Sequence, residues 1–147
     1  MISVLLVDDQ AYVMKILRYL LETTDDIQVV ATASNGVEAI TRASSNCPDV
    51  VVMDVSMPLM NGIEAARQIL LLCPRTHVLM LSIFETQEYI HRALDIGALG
   101  YILKDNASID LLTGIRALFK GNVFFSKQIA GIAKKHLHGK GNDSWAF

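Results

Sequence analysis

The sequence is short of several residue types at once. It holds two cysteines, three prolines and one tryptophan in 147 residues. Two cysteines cannot make the disulfide framework of a small secreted scaffold. Neither has a His or Cys at metal-ligand spacing, which sets aside finger and ribbon architectures. Cys47 and Cys73 each precede a proline where an apolar periodic segment ends. They read as small buried or half-buried thiols, ahead of a disulfide or a metal role, and so as residents of a reducing, cytoplasmic setting. Long apolar runs are missing as well. The run Ile2 to Val7 stops at Asp8-Asp9, so it is not a signal peptide, and no run reaches the roughly 18 residues of a membrane span. No membrane partner is expected. Internal repeats and low-complexity segments are absent too.

Net charge is only −2, but it is unevenly spread. Residues 1–110 carry 14 acids and 7 bases, whereas residues 111–147 carry 1 acid and 6 bases. An acidic body repels nucleic acid phosphates. The basic end is either a solvated helix face or a contact for nucleic acid or an acidic partner. What the chain has in abundance is apolar residues, at 52%. At this length they suffice for one well-buried core.

Residues 48–62 organise the rest: Pro48-Asp-Val-Val-Val-Met-Asp-Val-Ser-Met-Pro-Leu-Met-Asn-Gly62. Val50 to Met53 is apolar without alternation, the pattern of a strand covered on both faces. It stops at Asp54. Pro58 forbids an immediate helix, and Asn61-Gly62 turns the chain into the next one. Asp54 therefore stands at the carboxyl end of a central strand, the edge where open parallel sheets place ligands.

Taken in order, Val4 to Val7 is a buried strand ending in Asp8-Asp9. Val13, Ile16, Leu17, Leu20 and Leu21 form one helical stripe. Ile27 to Ala33 is a strand, Val37 to Ser45 a helix, and Ile63 to Cys73 a helix stopped by Pro74. His77 to Leu81 delivers Ser82, and Thr86 to Ile96 is a helix closed by Gly97. Leu99 to Leu103 delivers Lys104. Ser108 then reads as an N-cap for a helix with Ile109, Leu112, Ile115 and Phe119 on its apolar face. This alternation predicts an α/β fold: five parallel strands with helices on both faces. Past Gly121, Val123 to Phe125 reads as short and extended, and residues 127–137 as a helix. Gly139 to Ser144 reads as a linker, and Trp145-Ala-Phe147 as aromatics that suggest a further domain.

A parallel sheet gathers Asp8, Asp9, Asp54, Ser82 and Lys104 along one edge. Three crowded carboxylates repel one another, and a divalent cation relieves them. Oxygen ligands favour Mg²⁺ over Zn²⁺. An anion between cation, ammonium and hydroxyl would be held from three sides, as phosphoryl transfer requires. The remaining nucleophile is a carboxylate, which can form an aspartyl phosphate.

With Val7-Asp8-Asp9, Asp54-Val-Ser-Met-Pro-Leu-Met-Asn-Gly62, Ser82 and Gly-Tyr101-Ile-Leu-Lys104 in this order, the chain resembles the receiver domain of two-component response regulators over about residues 2–120. Gly-Tyr-Ile-Leu-Lys-Asp and Gly121-Asn-Val-Phe-Phe resemble the subfamily with a C-terminal LuxR-type (FixJ/NarL-like) helix-turn-helix. The resemblance implies a flavodoxin-like doubly wound sheet of order 2-1-3-4-5, with a receiver at 1–121 and an extra segment at 122–147. It implies that Asp54 accepts a phosphoryl group from a sensor histidine kinase. Mg²⁺ would bind Asp9, Asp54 and the Ser56 backbone carbonyl, with Asp8 acting through water. Lys104 would pair with phosphoryl oxygens, Ser82 would move to hydrogen-bond them, and Tyr101 would rotate inward behind. Ser56 and Phe84 would flank access to the site. The Lys104-Asp105 bond, often Lys-Pro in the family, is expected trans because a cis non-proline bond costs ~3–4 kcal/mol.

Such a domain is not an enzyme on other substrates: it takes a phosphoryl group and hydrolyses it slowly. It would control transcription through an attached DNA-binding domain, with homodimerisation on phosphorylation as a further expectation. A stand-alone receiver acting by protein binding is the alternative. A haloacid dehalogenase-type phosphatase fits less well, since Asp8-Asp9-Gln10 puts Gln10 at that family's general-acid position. His136 and His138 form a His-x-His pair in what reads as a flexible tail.

Overall fold

The computed structural model describes residues 1–139. β1 (Ile2–Val7), β2 (Ile27–Ala33), β3 (Val50–Asp54), β4 (His77–Ser82) and β5 (Gly100–Leu103) are the expected strands. They alternate with α1 (Ala11–Glu22), α2 (Gly36–Asn46), α3 (Gly62–Leu72), α4 (Gln87–Asp95) and α5 (Ala107–Phe119). A sixth strand, β6 (Phe124–Phe125), and a sixth helix, α6 (Ala130–Gly139), follow. The sheet is parallel with order β2-β1-β3-β4-β5-β6, so the five-stranded expectation is corrected to six. Two residues are too few for periodicity to reveal a strand, and β6 exists because the free edge of β5 accepts it.

The strand register aligns Val7, Met53, Met80, Tyr101 and Phe125 in one row across the sheet. Alternation along each strand then divides the core. Leu5, Val51, Met53, Met80 and Tyr101 pack under α2, α3, α4 and α6, while Val4, Val52, Leu79, Leu81 and Ile102 pack under α1 and α5. The near-continuous apolar strands thus meet helices on both sides.

Local signals explain several helix ends. Asn35 and Asn61 cap α2 and α3, their side chains accepting from the Glu38 and Glu64 amides. Gly97, at φ 102°, ends α4. Its N–H bonds to Leu94 and that of Ala98 to Ala93, the paired bonds of a Schellman ending.

Three local expectations are corrected. α5 begins at Ala107, before Ser108, and its preceding residue Asn106 makes no capping bond. The 3-10 turn Lys104–Asn106 leads directly into the helix, so no side-chain cap is needed. The buried face of α5 is Leu111, Ile115 and Leu118, while Ile109 is 74% exposed. The stripe Ala107, Leu111, Gly114, Ile115 and Leu118 has helical spacing too, and it is the one that faces the sheet. Cys47 and Cys73 form a disulfide, with Cα atoms 5.5 Å apart, and are not thiols. α2 and α3 lie side by side on one face, so their ends meet at the amino edge of the sheet. Matching Cys-Pro pairs at two helix ends were the available signal.

No peptide bond in the described residues is cis, so Lys104-Asp105 is trans as expected. None of the described helices is long and apolar enough to cross a membrane. The expected linker beyond Gly139 and the terminal Trp145 and Phe147 lie outside the described residues.

Candidate phosphoryl-accepting site

The order of strand addition reverses between β1 and β3, the place where such folds leave a crevice. Asp8 follows β1 and Asp54 ends β3, side by side in register. Both are 2% exposed. Oxygens of Asp8, Asp9 and Asp54 lie within 4.8 Å of one another. Asp8 Oδ1 accepts the Gln10 N–H at 2.9 Å, and Asp54 Oδ1 accepts the Ser56 N–H at 3.2 Å. The other oxygen of each, Oδ2, is buried and takes no hydrogen bond. Lys104 Nζ stands 3.0 Å from Asp8 Oδ2 and 3.4 Å from Asp54 Oδ2, so one ammonium faces both.

Burial pushes the Asp54 carboxyl up to about 7, and the Asp8 charge adds to the rise. Lys104 and the Ser56 amide pull the other way but do not cancel it. For Lys104, burial opposes the charged form. Its 3.0 Å pairing with Asp8 and the charge of Asp54 outweigh it and raise the ammonium's pKa above its ordinary value. A site with two orphaned carboxylate oxygens and too little positive charge suits a hard divalent cation. The three acids form a cluster able to hold one.

The β3–α3 loop owes its closeness to one glycine. A Cβ on Gly62 would lie 1.9 Å from the Asp54 carbonyl oxygen, and the Gly62 N–H bonds to the Val55 carbonyl at 2.7 Å. Above it, Leu59 has φ 70° and is bridged by a Met60 N–H bond to the Pro58 carbonyl. This tight three-residue turn is a strained backbone conformation for a leucine.

Ser82 ends β4 on the α4 side. Its Oγ accepts the Phe84 N–H at 2.9 Å. The Tyr101 hydroxyl donates to the Phe84 carbonyl at 2.9 Å, and Phe84 stacks on Tyr89 at 4.4 Å between centroids. Tyr101 is fully buried, its ring turned inward. Ser56 is exposed and Phe84 half-buried, and both line one shallow depression with Tyr89 and Asn61. The folded chain therefore brings the acids to Lys104, and Ser82 to Phe84 and Tyr101. Sequence reasoning missed Gln10, whose amide fixes Asp8, because a backbone donor leaves no residue-type signal. His136 is likewise not in a loose tail: it sits in α6, 2.8 Å from Asp95.

Residues 4–116 match the response regulator receiver domain. The chain belongs to that family. This receiver is 40% identical over 124 residues to an uncharacterised transcriptional regulatory protein, YxjL, of Bacillus subtilis, covering 84% of the chain and 57% of the relative. It is 46% identical over 112 residues to a protein-glutamate methylesterase/protein-glutamine glutaminase of Methanococcus maripaludis, covering 75% of the chain and 30% of the relative. Among solved structures, a LuxR-family two-component response regulator from Aurantimonas superposes with TM-score 0.85 at 31% identity, covering 90% of this chain and 95% of that one. The chain thus spans little more than half of the first of these relatives and under a third of the second. Membership of the receiver family sets the haloacid dehalogenase alternative aside.

Proposed function

We propose that Asp54 is the phosphoacceptor and that its phosphorylation switches the receiver. The observation that carries this is the buried Asp54 Oδ2, unbonded and 3.4 Å from Lys104, beside two further acids. In the reaction, a carboxylate oxygen of Asp54 attacks phosphorus of a phosphohistidine on a sensor kinase. The P–O bond forms as the P–N bond breaks, its electron pair returning to the ring nitrogen, and the histidine, already protonated at its other nitrogen, leaves as neutral imidazole. Asp54 must be ionised to attack, and the Lys104 ammonium favours that form. Lys104 then pairs with phosphoryl oxygens, and Ser82 donates its hydroxyl proton to another. Asp9, Asp54 and the Ser56 carbonyl would hold Mg²⁺, with Asp8 acting through water, and the ion would supply the remaining neutralisation of charge. Water later hydrolyses the acyl phosphate, and Phe84, beside Ser56, slows its access.

The receiver reports its state to a DNA-binding domain and so controls transcription, in the cytoplasm, with a homodimer as the phosphorylated form. Residues 1–121 are the receiver and 122–147 lead toward the output. The likeness to the LuxR-family structure supports this. It covers 90% of the chain, more than residues 1–121 make up, whereas the methylesterase match covers 75%. That methylesterase is also the reason for a second reading, in which the receiver acts through protein contacts alone.

The test is intact-protein mass spectrometry after treatment with acetyl phosphate and Mg²⁺. Wild type gains one phosphoryl group and Asp54→Asn gains none. Equal labelling of both proteins would remove Asp54 from its assigned role.

A further inference from the structure

β5 carries Tyr101 in its middle and Lys104 just past its end, and its outer edge is held by the residues after α5. The Phe124 N–H bonds to the Leu99 carbonyl and the Ser126 N–H to the Tyr101 carbonyl, each at 3.1 Å. The Ser126 side chain, fully buried, continues the ladder. Its Oγ accepts the Leu103 N–H at 3.0 Å and donates to Asp110 Oδ2 at 2.8 Å. One hydroxyl thus ties down the residue before Lys104 and the first turn of α5. The Gln128 and Asn106 side chains join at 3.3 Å, which fastens the turn containing Lys104.

Farther along, Ile129, Ala133 and Leu137 are buried in the same core as Tyr101, Ile90 and Leu94. The His136 ring stacks on His91 with centroids 3.9 Å apart. α6 is therefore seated on α4, the helix that Ser82 and Phe84 lead into. The chain enters this segment through Gly121, at φ 84°, which closes α5: its N–H bonds to the Leu118 carbonyl and that of Asn122 to the Ala117 carbonyl.

With this segment seated, the Tyr101 hydroxyl donates to the Phe84 carbonyl and Ser82 Oγ accepts the Phe84 N–H. β5 so fastened also fixes Lys104, whose Nζ lies 3.4 Å from Asp54 Oδ2 and would face an anion carried there. We infer that residues 124–139 form a strap whose seating on β5 and α4 and the presence of a phosphoryl group on Asp54 stabilise each other. Ser126 acts as a positioning residue for Lys104. The inference rests on the phosphoacceptor reading of Asp54. Linkage makes the effect reciprocal: an anion at Asp54 tightens the strap, and loosening the strap weakens anion binding by the same factor.

The experiment uses the full chain and beryllofluoride with Mg²⁺ as the phosphoryl probe, with affinity from calorimetry and strap opening from amide hydrogen exchange. The probe slows exchange of residues 130–139 in wild type by about fivefold or more. Leu137→Asp and Ser126→Ala each weaken probe affinity by about fivefold or more, and Ser126→Thr restores it. Unchanged or tighter affinity in a Leu137→Asp protein with wild-type circular dichroism overturns the strap alone. If that variant does not fold, wild-type exchange decides, and rates indifferent to bound probe overturn the inference. Failure of wild type to bind the probe overturns the phosphoacceptor reading and the strap with it.

Discussion

The two edges of the sheet are opposites. At the amino edge every polar group we describe is matched. Asp49 Oδ2 accepts both the N–H and the hydroxyl of Ser3, and Ser3 Oγ accepts the Asp49 N–H in return. Thr76, buried, donates to the Pro48 carbonyl, and Cys47–Cys73 fastens α2 to α3. At the carboxyl edge two buried carboxylates share one ammonium and leave oxygens unbonded, under a loop with a left-handed leucine. The amino edge secures the fold, while the carboxyl edge holds unsatisfied charge ready for a cation and an anion.

The comparison breaks most readily at Lys104. Lys104→Met leaves Asp8 and Asp54 facing each other without a cation, and we expect a loss of about 3–5 kcal/mol at pH 8 in chelator. Millimolar Mg²⁺ recovers part of it. Denaturant melts with and without Mg²⁺ measure both effects, and a loss indifferent to Mg²⁺ would deny the acids their shared ion.

Asp54→Asn works in the opposite direction. The folded-state pKa of Asp54 is raised above its ordinary 3.8 to about 7. Between those values the folded state holds a proton that the unfolded chain has lost. Metal-free stability therefore falls as pH rises from about 4 to 7 and levels off above. The Asn variant lacks this slope and gains about 2–4 kcal/mol at pH 8. Denaturant titrations across that range check it, and parallel pH profiles for variant and wild type would contradict the assigned cause.

At the amino edge, reducing Cys47–Cys73, whose cysteines are 26 residues apart, should cost about 2–3.5 kcal/mol. It should leave phosphorylation by acetyl phosphate unchanged. A labelling rate that tracked reduction would mean the two edges are coupled. The smallest effect is expected for Thr76→Val, about 1 kcal/mol from one orphaned carbonyl, again with unaltered labelling.

Much of this was legible residue by residue. Val50 to Asp54 announced a doubly covered strand ending in its acceptor, because an apolar run stopped by a carboxylate has few other readings. Asn35-Gly36 and Asn61-Gly62 announced helix starts, because their side chains act on amides three residues away. Ile109 misled, since α5 carries two apolar stripes of helical spacing and packing on the sheet chose the one through Leu111 and Leu118. Cys47 and Cys73 misled for another reason: their separation along the chain says nothing about two helices ending together.

By itself the sequence determined the alternation of elements, the acids and amine at strand ends, and the family, because these depend on local pattern and on residue type at fixed order. Only the tertiary structure decided that β6 closes the edge of β5, that α6 lies on α4, that Tyr101 is inward and that the cysteines are joined. Those outcomes turn on which surfaces are left uncovered once the sheet has formed, and a chain's local pattern does not carry that information.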